Sequence, residues 1–529
     1  MGTMIDIDPV ITFIVPTYKT PLPFLRDALD SVIGQTSANW EICIGDDGSR
    51  EPALTALLHD YAGRDSRIKV SISETNAGIS SASNRAAALA TGAYLALLDH
   101  DDVIAPNTVA VLTEALRNSP NADVLYSDEV KIDEFGTVLG DYIKPDYSAD
   151  FLRSTMYVGH LFVLRRELFG SLGGLRSAFD GSQDFDLALR ACTPDRVIVH
   201  VPQKLYSWRG SPNSTALDMS AKPWALQSAK RVIDDFAAQL EWPTHAEEGM
   251  LPATFRLRYA IKPKLTIRVF VICEGGTKSM EDGQEVPLIV NAFTYLRTKT
   301  SSISFQISGV AEQNLGDAVT DWCAANNVAL YQSTRSDRRS MVEWLNAAID
   351  HDDSSMLVVM REGIELFDDQ SLTALLELAQ LPDIGVVGAR VSYEDGSVRH
   401  AGLVYHDREI KRSFHRIPVD VMEYQGFAHM IRNYSAVSMD FMAFRRDAWE
   451  SLGRFDEAFQ STLFDADFCM RATLKGLRVV FTPFSHVQFI GGEKGDDSSA
   501  TERKLLADRY DDFRDPFFSP QTILEQTNQ

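Results

Sequence analysis

Cysteine is scarce in this chain of 529 residues, which contains Cys43, Cys192, Cys273, Cys323 and Cys469. The five are odd in number and widely separated, and no two of them form a C-x-x-C pair. Disulfide frameworks and structural zinc sites use closely or regularly spaced cysteines. The cysteine content therefore excludes both and is typical of a reduced, cytoplasmic protein.

Positive charge is scarce relative to negative charge. The chain has 51 Lys and Arg residues against 74 Asp and Glu residues, a formal net charge of −23. Nucleic-acid binding requires clustered Lys and Arg to neutralise phosphates, so we expect no nucleic-acid partner. No apolar run reaches the roughly 18 residues needed to span a bilayer, and the acidic start of the chain is unlike a secretory signal. The sequence predicts a cytoplasmic protein that reaches a membrane, if at all, peripherally from its inner face; self-association into a homo-oligomer stays open.

Short apolar runs do alternate with amphipathic segments through the first part of the chain. The apolar residues between the first two runs recur at i, i+3, i+4, i+7 and i+8, the pattern of one helix face. Alternation of this kind predicts parallel strands joined by helical crossovers, and so an α/β sheet flanked by helices. The predicted strands are Ile11–Tyr18, Trp40–Gly45, Arg67–Ile72 and Ala93–Leu98.

Polar clusters follow three of these predicted strands. The clusters are Pro16-Thr17-Tyr18, Asp46-Asp47-Gly48-Ser49 and Asp99-His100-Asp101-Asp102. Ligands of open α/β sheets bind beyond the carboxyl ends of the strands. Each cluster alone is a weak signal, since an acidic turn is more often a solvated cap. Three of them at one sheet edge indicate a ligand site, and carboxylates gathered at a strand end need a compensating partner such as a cation.

From about Ile11 to Ala216 the chain resembles the GT-A glycosyltransferases of the inverting family 2. The motifs that carry the resemblance occur in the order typical of that family. They are "IVPTY", "DDGS", "NAGISSASNRAAALATG", "LLDHDD", "YSDE", "GHLFVLRREL", "QDFDLALR" and "LYSWRGSPNSTA". The nearest subset comprises bacterial enzymes that build O-antigen and related cell-surface polysaccharides, often labelled rhamnosyltransferases.

The resemblance implies a nucleoside-diphosphate sugar as donor and a divalent cation, Mg²⁺ or Mn²⁺, as cofactor. It implies that Asp101 contacts the metal and that Asp99 contacts the ribose or completes the metal shell. Carboxylates and phosphates suit such hard cations, which offset charge on a departing diphosphate. The remaining donor contacts implied by the resemblance are Pro16, Thr17, Tyr18, Asp47, which would accept from a base N–H, and His100.

Inversion requires a general base that deprotonates the acceptor hydroxyl. By resemblance this base is Asp184 in "GSQDFDLALR". Asp186 is the rival, but it stands four residues before Arg190, which is the spacing of an intrahelical ion pair. His160 in "GHLF" lies near the acceptor side by resemblance, and a structural core histidine is an equally good interpretation.

The chain departs from the family pattern after "WR", where relatives often have a histidine that completes the metal shell. Ser211 stands at that position here. A serine hydroxyl is a poor ligand for a transition metal and an acceptable one for Mg²⁺, so strict metal dependence is open. Arg209 is a candidate for the diphosphate charge, or it stacks on Trp208.

The second half of the chain repeats the first. "FVLRRELFGSLGGL" recurs as "FMAFRRDAWESLGRF", which places Arg165 and Arg445 280 positions apart. "SNRAAALA" recurs as "LNAAIDHD", which places Asn84 and Asn346 262 positions apart. "QDFDLALR" recurs as "FDADFCMR" and pairs Asp184 with Asp465.

The repeat lacks the carboxylates of the first half. At a separation of 262, Asp99, His100 and Asp101 correspond to Arg361, Glu362 and Gly363. Asp47 falls opposite Val310 or nearby. We therefore predict a second domain that kept the fold and lost the donor site. A misalignment would leave Glu362 and Glu365 as candidate ligands, at a different spacing.

The sequence thus predicts tandem GT-A domains. We expect a catalytic domain over residues 1–250, a linker over 251–264, a second, non-catalytic GT-A-like domain over 265–495 and a C-terminal tail over 496–529. The predicted function is inverting transfer of a sugar to a hydroxyl of a glycan or lipid-linked saccharide in bacterial cell-surface polysaccharide synthesis. The alternatives are a sugar nucleotidyltransferase and a non-enzymatic glycan-binding protein.

Overall fold

The structure is a computed structural model that describes residues 11–210, 223–279, 283–300, 302–334, 337, 339–421, 423–460, 462–490 and 499–518. The chain forms two compact units, Met1–Leu257 and Arg258–Gln529. The division falls inside a strand, Phe255–Tyr259, in the stretch that the sequence led us to expect as a linker. We call the two parts the first unit and the second unit.

Eleven strands and eight helices are described up to that division. The strands are β1 (Ile11–Thr17), β2 (Trp40–Asp46), β3 (Ile68–Ile72), β4 (Tyr94–Leu97), β5 (Val103–Ile104), β6 (Val124–Ile132), β7 (Val138–Tyr142), β8 (Phe162–Arg165), β9 (Ile198–Arg209), β10 (Thr244–Glu248) and β11 (Phe255–Tyr259). The helices are α1 (Leu22–Ile33), α2 (Pro52–Arg64), α3 (Ile79–Ala87), α4 (Thr108–Asn118), α5 (Ala149–Ser154), α6 (Arg166–Ser171), α7 (Gln183–Ala191) and α8 (Pro223–Gln239).

The main sheet of the first unit has the order β3-β2-β1-β4-β8-β6-β9-β5, and β7 pairs with β6. Strands β3, β2, β1 and β4 are parallel to one another, as the alternating pattern predicts. Helix α1 buries Leu25, Ala28, Leu29 and Val32, the face that its spacing marks as apolar, while Ile33 is 39% exposed. Since β1, β2 and β4 run in one direction, the three predicted polar clusters lie at one edge of the sheet.

The second unit has the same architecture. Its strands are β12 (Ile267–Cys273), β13 (Thr277–Ser279), β14 (Glu285–Pro287), β15 (Gln306–Ala311), β16 (Ala329–Gln332), β17 (Met356–Arg361), β18 (Ile364–Leu366), β19 (Ile384–Tyr393), β20 (Val398–His400), β21 (Leu403–His406), β22 (Glu409–Arg412), β23 (Arg432–Asn433), β24 (Phe441–Arg445) and β25 (Arg478–Phe489). Its helices are α9 (Leu288–Lys299), α10 (Asp317–Ala325), α11 (Met341–Asp350), α12 (Gln370–Ala379), α13 (Arg446–Leu452), α14 (Phe464–Leu474) and α15 (Ala500–Arg509). Its main sheet has the order β16-β15-β12-β17-β24-β19-β25-β18, which matches the first unit strand for strand.

Strand register confirms the internal repeat. In the first unit Tyr94 pairs with Arg165, and in the second Met356 pairs with Arg445. These partners are related by the same separations of 262 and 280 that the sequence shows. The fold class, tandem α/β domains whose main sheets each contain four neighbouring parallel strands, is therefore as predicted.

A side-chain clamp is also repeated. The amide of Asn84 donates to the carbonyl of Leu175 (2.8 Å) and accepts from its N–H (3.0 Å). Asn346 makes the same two bonds with Phe455, at 2.9 and 3.3 Å. Both asparagines satisfy buried backbone groups, which explains why the residue type is retained in both halves.

The C-terminal stretch packs on the second unit as far as it is described. Ser499 and Glu502 form a capping box at the start of α15. The Asp515 carboxylate accepts from the backbone N–H of Tyr405 (2.9 Å), and the Tyr405 ring contacts Phe513. Among the described residues no helix combines the length and apolarity needed to cross a membrane.

Candidate functional site

The three carboxylates of the acidic loop after β4, residues 99–102, differ in their exposure to solvent. The Asp99 side chain is 45% exposed, and Asp101 is partly exposed, whereas Asp102 is buried. His100 Nδ1 lies 3.2 Å from the carbonyl of Pro16, which ties the loop to the end of β1. Asp99 and Asp101 are thus the two carboxylates of this loop that a ligand reaches.

Asp102 holds the loop in place. Its carboxylate accepts from the Tyr206 hydroxyl (2.5 Å) and from the backbone N–H of Arg209 (2.7 Å). Burial, together with the charges of Asp99 and Asp101, raises the pKa of Asp102 well above its ordinary value. No sequence pattern distinguishes Asp102 from its acidic neighbours, but its contacts make it a link between the loop and the end of β9.

A buried ionic cluster lies beside the loop. Lys144 is fully buried, and its ammonium donates to the backbone carbonyls of Ser127 and Val158 and lies 3.3 Å from Glu129. Glu129 also accepts from the backbone N–H of His160 (2.8 Å). Burial opposes ionisation of Glu129, but Lys144 and His160 lower its pKa to about 2. The cluster is therefore ionised at neutral pH.

His160 joins this cluster to the acidic loop. Its ring stacks on Tyr206 with centroids 4.7 Å apart, Nδ1 lies 3.3 Å from Glu129, and Nε2 lies 3.9 Å from Asp99. Burial lowers the pKa of His160, yet Glu129, Asp99 and Asp102 raise it to about 9. A pKa of about 9 favours the imidazolium form of His160 at neutral pH.

Asp184 lies in the first turn of α7 and shares this electrostatic environment. The protein packed around its carboxyl raises the pKa of Asp184, and the Asp99 charge raises it further, while the His160 charge lowers it. A carboxylate whose pKa is raised toward neutral pH is suited to general-base chemistry. The structure thus brings Asp184, His160 and Asp99 into one site.

Asp186, the rival base, is structural. It is buried, and its carboxylate accepts from Arg190 (2.6 Å) and from Arg176 Nε (3.0 Å). The interpretation of Asp186 as an intrahelical ion pair is confirmed, and Arg176 adds a second cation that the spacing did not reveal.

The residues predicted to hold the nucleoside have different degrees of access. Thr17 is buried and its hydroxyl donates to Asp46 (3.3 Å). Tyr18 is 43% exposed. Asp47 is buried and accepts from the N–H of Gly78 (2.7 Å) and from Arg85 (3.0 Å). A base N–H would have to share a carboxylate oxygen of Asp47 with these internal donors.

Arg209 packs against the acidic loop and contacts its backbone. Its guanidinium is buried, donates to the carbonyl of Asp101 (2.7 Å) and lies 3.2 Å from Asp27. The ring that it faces is Phe24, with a centroid 4.9 Å away, and not Trp208 as one interpretation held. Ser211 lies outside the described residues.

The donor set of the loop fits a hard divalent cation that is shared with a substrate. Within the described ranges, no group of three or more His, Cys, Asp or Glu side chains is arranged to hold a metal ion. Asp99 and Asp101 offer two accessible carboxylates, and Mg²⁺ is commonly bound by one or two carboxylates together with substrate phosphates. The protein residues alone do not distinguish Mg²⁺ from Mn²⁺.

The equivalent position in the second unit carries the opposite charges. Arg361 corresponds to Asp99 at the separation of 262, and Asp440 corresponds to His160 at the separation of 280. Arg361 Nε lies 3.0 Å from Asp440, which also accepts from Arg399 (2.7 Å). Asp465, the counterpart of Asp184, is buried and accepts from the N–H groups of Met439 and Ala466, each at 2.8 Å. In the second unit the counterpart of Asp99 is therefore held in an ion pair, and the counterpart of Asp184 is bound by backbone N–H groups.

Comparisons with known proteins agree with this duplication. The family model described as Glycosyl transferase family 2 matches residues 12–173, and the one described as Glycosyltransferase like family 2 matches residues 310–507. An uncharacterized protein y4gI of Sinorhizobium fredii is 28% identical over 98% of this chain and 58% of its own length. The O-antigen biosynthesis protein RfbC of Myxococcus xanthus is 29% identical over 90% of this chain and 37% of its own length. A chondroitin synthase of Escherichia coli is 30% identical over 34% of this chain and 26% of its own length. The chain therefore spans less than two thirds of each of these relatives.

Proposed function

We propose that this chain, which belongs to glycosyltransferase family 2 in both of its halves, transfers a sugar from a nucleoside-diphosphate donor through its first unit. The acceptor would be a hydroxyl of a glycan or of a lipid-linked saccharide at the inner face of the plasma membrane, in cell-surface polysaccharide synthesis. The names of the Myxococcus and Escherichia relatives support this biosynthetic setting. The observation that carries the proposal is the convergence of Asp184, His160 and Asp99 at the carboxyl edge of the first sheet.

Asp99 and Asp101 would hold the divalent cation, Mg²⁺ or Mn²⁺, on the donor diphosphate. When bound, that cation would offset the negative charge that grows on the leaving diphosphate. Asp102 positions these two carboxylates through Tyr206 and the backbone of Arg209. Tyr18 and Asp47 would contact the nucleoside at the neighbouring strand ends.

Asp184 would accept the proton of the acceptor hydroxyl while that oxygen attacks the anomeric carbon. Attack from the face opposite the diphosphate inverts the configuration at that carbon. The positive charge of His160 favours the ionised form of Asp184. Holding the hydroxyl and the anomeric carbon together in this arrangement supplies much of the rate.

The acceptor side is marked by an exposed aromatic ring. Trp224 at the start of α8 is 56% exposed. It packs on Gly181, where φ is +93° and where a Cβ would overlap the indole ring. Gly181 precedes Asp184 by three residues, so the ring lies close to the proposed base. Flat aromatic faces suit the apolar face of a sugar, and we assign Trp224 to acceptor binding.

The second unit does not catalyse transfer in this proposal. Its Asp465 is engaged by two backbone donors, and Arg361 in place of Asp99 would repel a divalent cation.

A donor screen tests the proposal. Purified chain is incubated with a panel of nucleotide sugars, saccharide acceptors and Mg²⁺ or Mn²⁺, and release of nucleoside diphosphate is measured. We expect release from at least one donor, loss with Asp101→Ala, and no consumption of nucleoside triphosphate with a sugar phosphate. Consumption of nucleoside triphosphate would identify a nucleotidyltransferase. Binding of a saccharide without metal, with no nucleoside diphosphate released from any donor, would identify a glycan-binding protein.

A further inference from the structure

The second unit retains a cavity at the sheet edge that corresponds to the proposed donor site. The cavity has a volume of about 650 Å³ and includes Arg361, Glu362 and Gly363, the counterparts of the acidic loop, together with Asp465. Cavities of about 300–1,000 Å³ are typical of small-ligand sites. Loss of the metal carboxylates has therefore not closed the cleft.

The lining of this cavity is rich in positive charge, although the whole chain has a net charge of −23. Six Lys and Arg side chains line it against five Asp and Glu side chains. The basic residues are Arg361, Arg399, Arg408, Lys411, Arg412 and Arg503, and the acidic ones are Glu274, Glu362, Glu409, Asp440 and Asp465.

The partners of the basic residues decide which charges a ligand would meet. Arg361 and Arg399 share the buried carboxylate of Asp440, and Arg361 also pairs with Glu274 at 2.8 Å. Arg408 pairs with acidic side chains of the C-terminal stretch, and Lys411 lies 3.7 Å from Asp407. Arg412, the last residue of β22, contacts a neutral group, the Tyr393 hydroxyl, at 3.4 Å, and has no carboxylate partner among the described residues. Arg412 is thus a cavity cation without a carboxylate partner in the described part of the chain.

Glu362 adds a second unsatisfied group. It is 3% exposed, and its Oε1 accepts from the N–H of Gly276 (2.8 Å), whereas its Oε2 is buried without a partner in the described part of the chain. Burial raises the pKa of this carboxyl, against the lowering effect of the backbone N–H of Gly276. A buried polar atom without a partner indicates that something else satisfies it.

We propose that this cavity binds an acidic saccharide, a sugar bearing a phosphate or a carboxylate, without a divalent cation. Arg412 would pair with the acidic group of the sugar. Glu362 would hydrogen-bond to a hydroxyl of the sugar. This inference goes beyond the sugar transfer proposed for the first unit and does not depend on it.

Calorimetry on the full chain in EDTA tests the inference. The probes are glucose 1-phosphate, glucuronate, neutral glucose and inorganic phosphate. We expect binding of at least one acidic sugar and none of glucose. Binding of inorganic phosphate as tight as that of glucose 1-phosphate would overturn the assignment to a saccharide, and a requirement for Mn²⁺ or equal binding of glucose would overturn the site altogether.

Matched variants locate the binding. Arg412→Gln should weaken it at least tenfold, because a charge-assisted contact is lost, and Arg412→Lys should restore part of the affinity. Arg416→Gln is the control, since Arg416 also lies against Tyr393 but pairs with the exposed Asp395 outside the cavity. Asp184→Asn should leave this affinity unchanged. Equal affinities for wild type and Arg412→Gln, or loss of binding in Asp184→Asn, would contradict the proposal.

Discussion

Replacing Asp440 by asparagine should destabilise the second unit strongly. The carboxylate is fully buried and compensates Arg361 (3.0 Å) and Arg399 (2.7 Å), and His400 lies 3.1 Å from it. Asparagine has nearly the same shape but no charge, so Arg399 would lose its buried carboxylate partner and Arg361 would keep only Glu274, at 2.8 Å. Removing one member of a buried ion pair typically costs about 3–5 kcal/mol of folding free energy, and we expect a loss in that range.

The effect should depend on pH. Although burial opposes ionisation, Arg399, Arg361 and His400 hold the pKa of Asp440 well below its ordinary value. A lowered pKa in the folded state contributes stability above the unfolded pKa of about 4, and this contribution is lost as the pH falls through the folded pKa. The difference between wild type and Asp440→Asn should therefore be full at pH 7 and shrink in acid.

Hydrogen exchange followed by mass spectrometry separates the two units. We expect amides of β24 to exchange about 10²- to 4 × 10³-fold faster in Asp440→Asn at pH 7, while β8 of the first unit is unchanged. Asp395→Asn is the matched control, because its ion pair with Arg416 is exposed on both sides and contributes little to stability. Unchanged exchange in β24 would refute the view that an ion pair replaces the donor site there.

Three further predictions concern the first unit. The transfer rate should fall in acid with a midpoint above the ordinary carboxyl pKa of 3.8, because burial raises the pKa of Asp184. His160→Gln should move that midpoint to still higher pH, because the charge that lowers the pKa of Asp184 is lost. A midpoint that does not move would contradict an interaction between His160 and Asp184. Trp224→Ala should raise the acceptor KM several-fold with little change in donor KM, and an equal rise in both would show a general structural role. Asp186→Asn should lower the melting temperature, since Arg176 and Arg190 lose a shared buried partner. The folded fraction of this variant should keep the pH dependence of the wild-type transfer rate. A shift of the acid midpoint would instead identify Asp186 as the base.

Sequence patterns identified the fold because local and long-range signals agree in both halves. The apolar spacing in α1, the strands that end in polar clusters, and the constant separations of the repeat all reflect one parallel sheet edge. Register then reproduces the repeat at Tyr94–Arg165 and Met356–Arg445. The same periodicity identified Asp186 correctly as a partner of Arg190.

Residues whose roles depend on distant partners escaped prediction. Asp101 and Asp102 are indistinguishable in a run of acidic letters, and only Tyr206 and Arg209, more than 100 positions later, show that Asp102 is structural. Lys144 stands in a segment without periodicity, and its burial beside Glu129 follows from tertiary packing. The neighbour of Arg209 was misjudged because adjacent strand residues point to opposite faces, which directs its guanidinium to Phe24.

The most direct test compares the two equivalent aspartates with the donor that the screen identifies. Transfer by Asp184→Asn and by Asp465→Asn is measured as glycoside formed per enzyme under saturating donor. Our account predicts that Asp184→Asn loses about 10²- to 10⁴-fold in rate, the usual contribution of a general base, and that folded Asp465→Asn retains the wild-type rate. Full activity of Asp184→Asn, or loss confined to Asp465→Asn, would contradict the assignment of catalysis to the first unit.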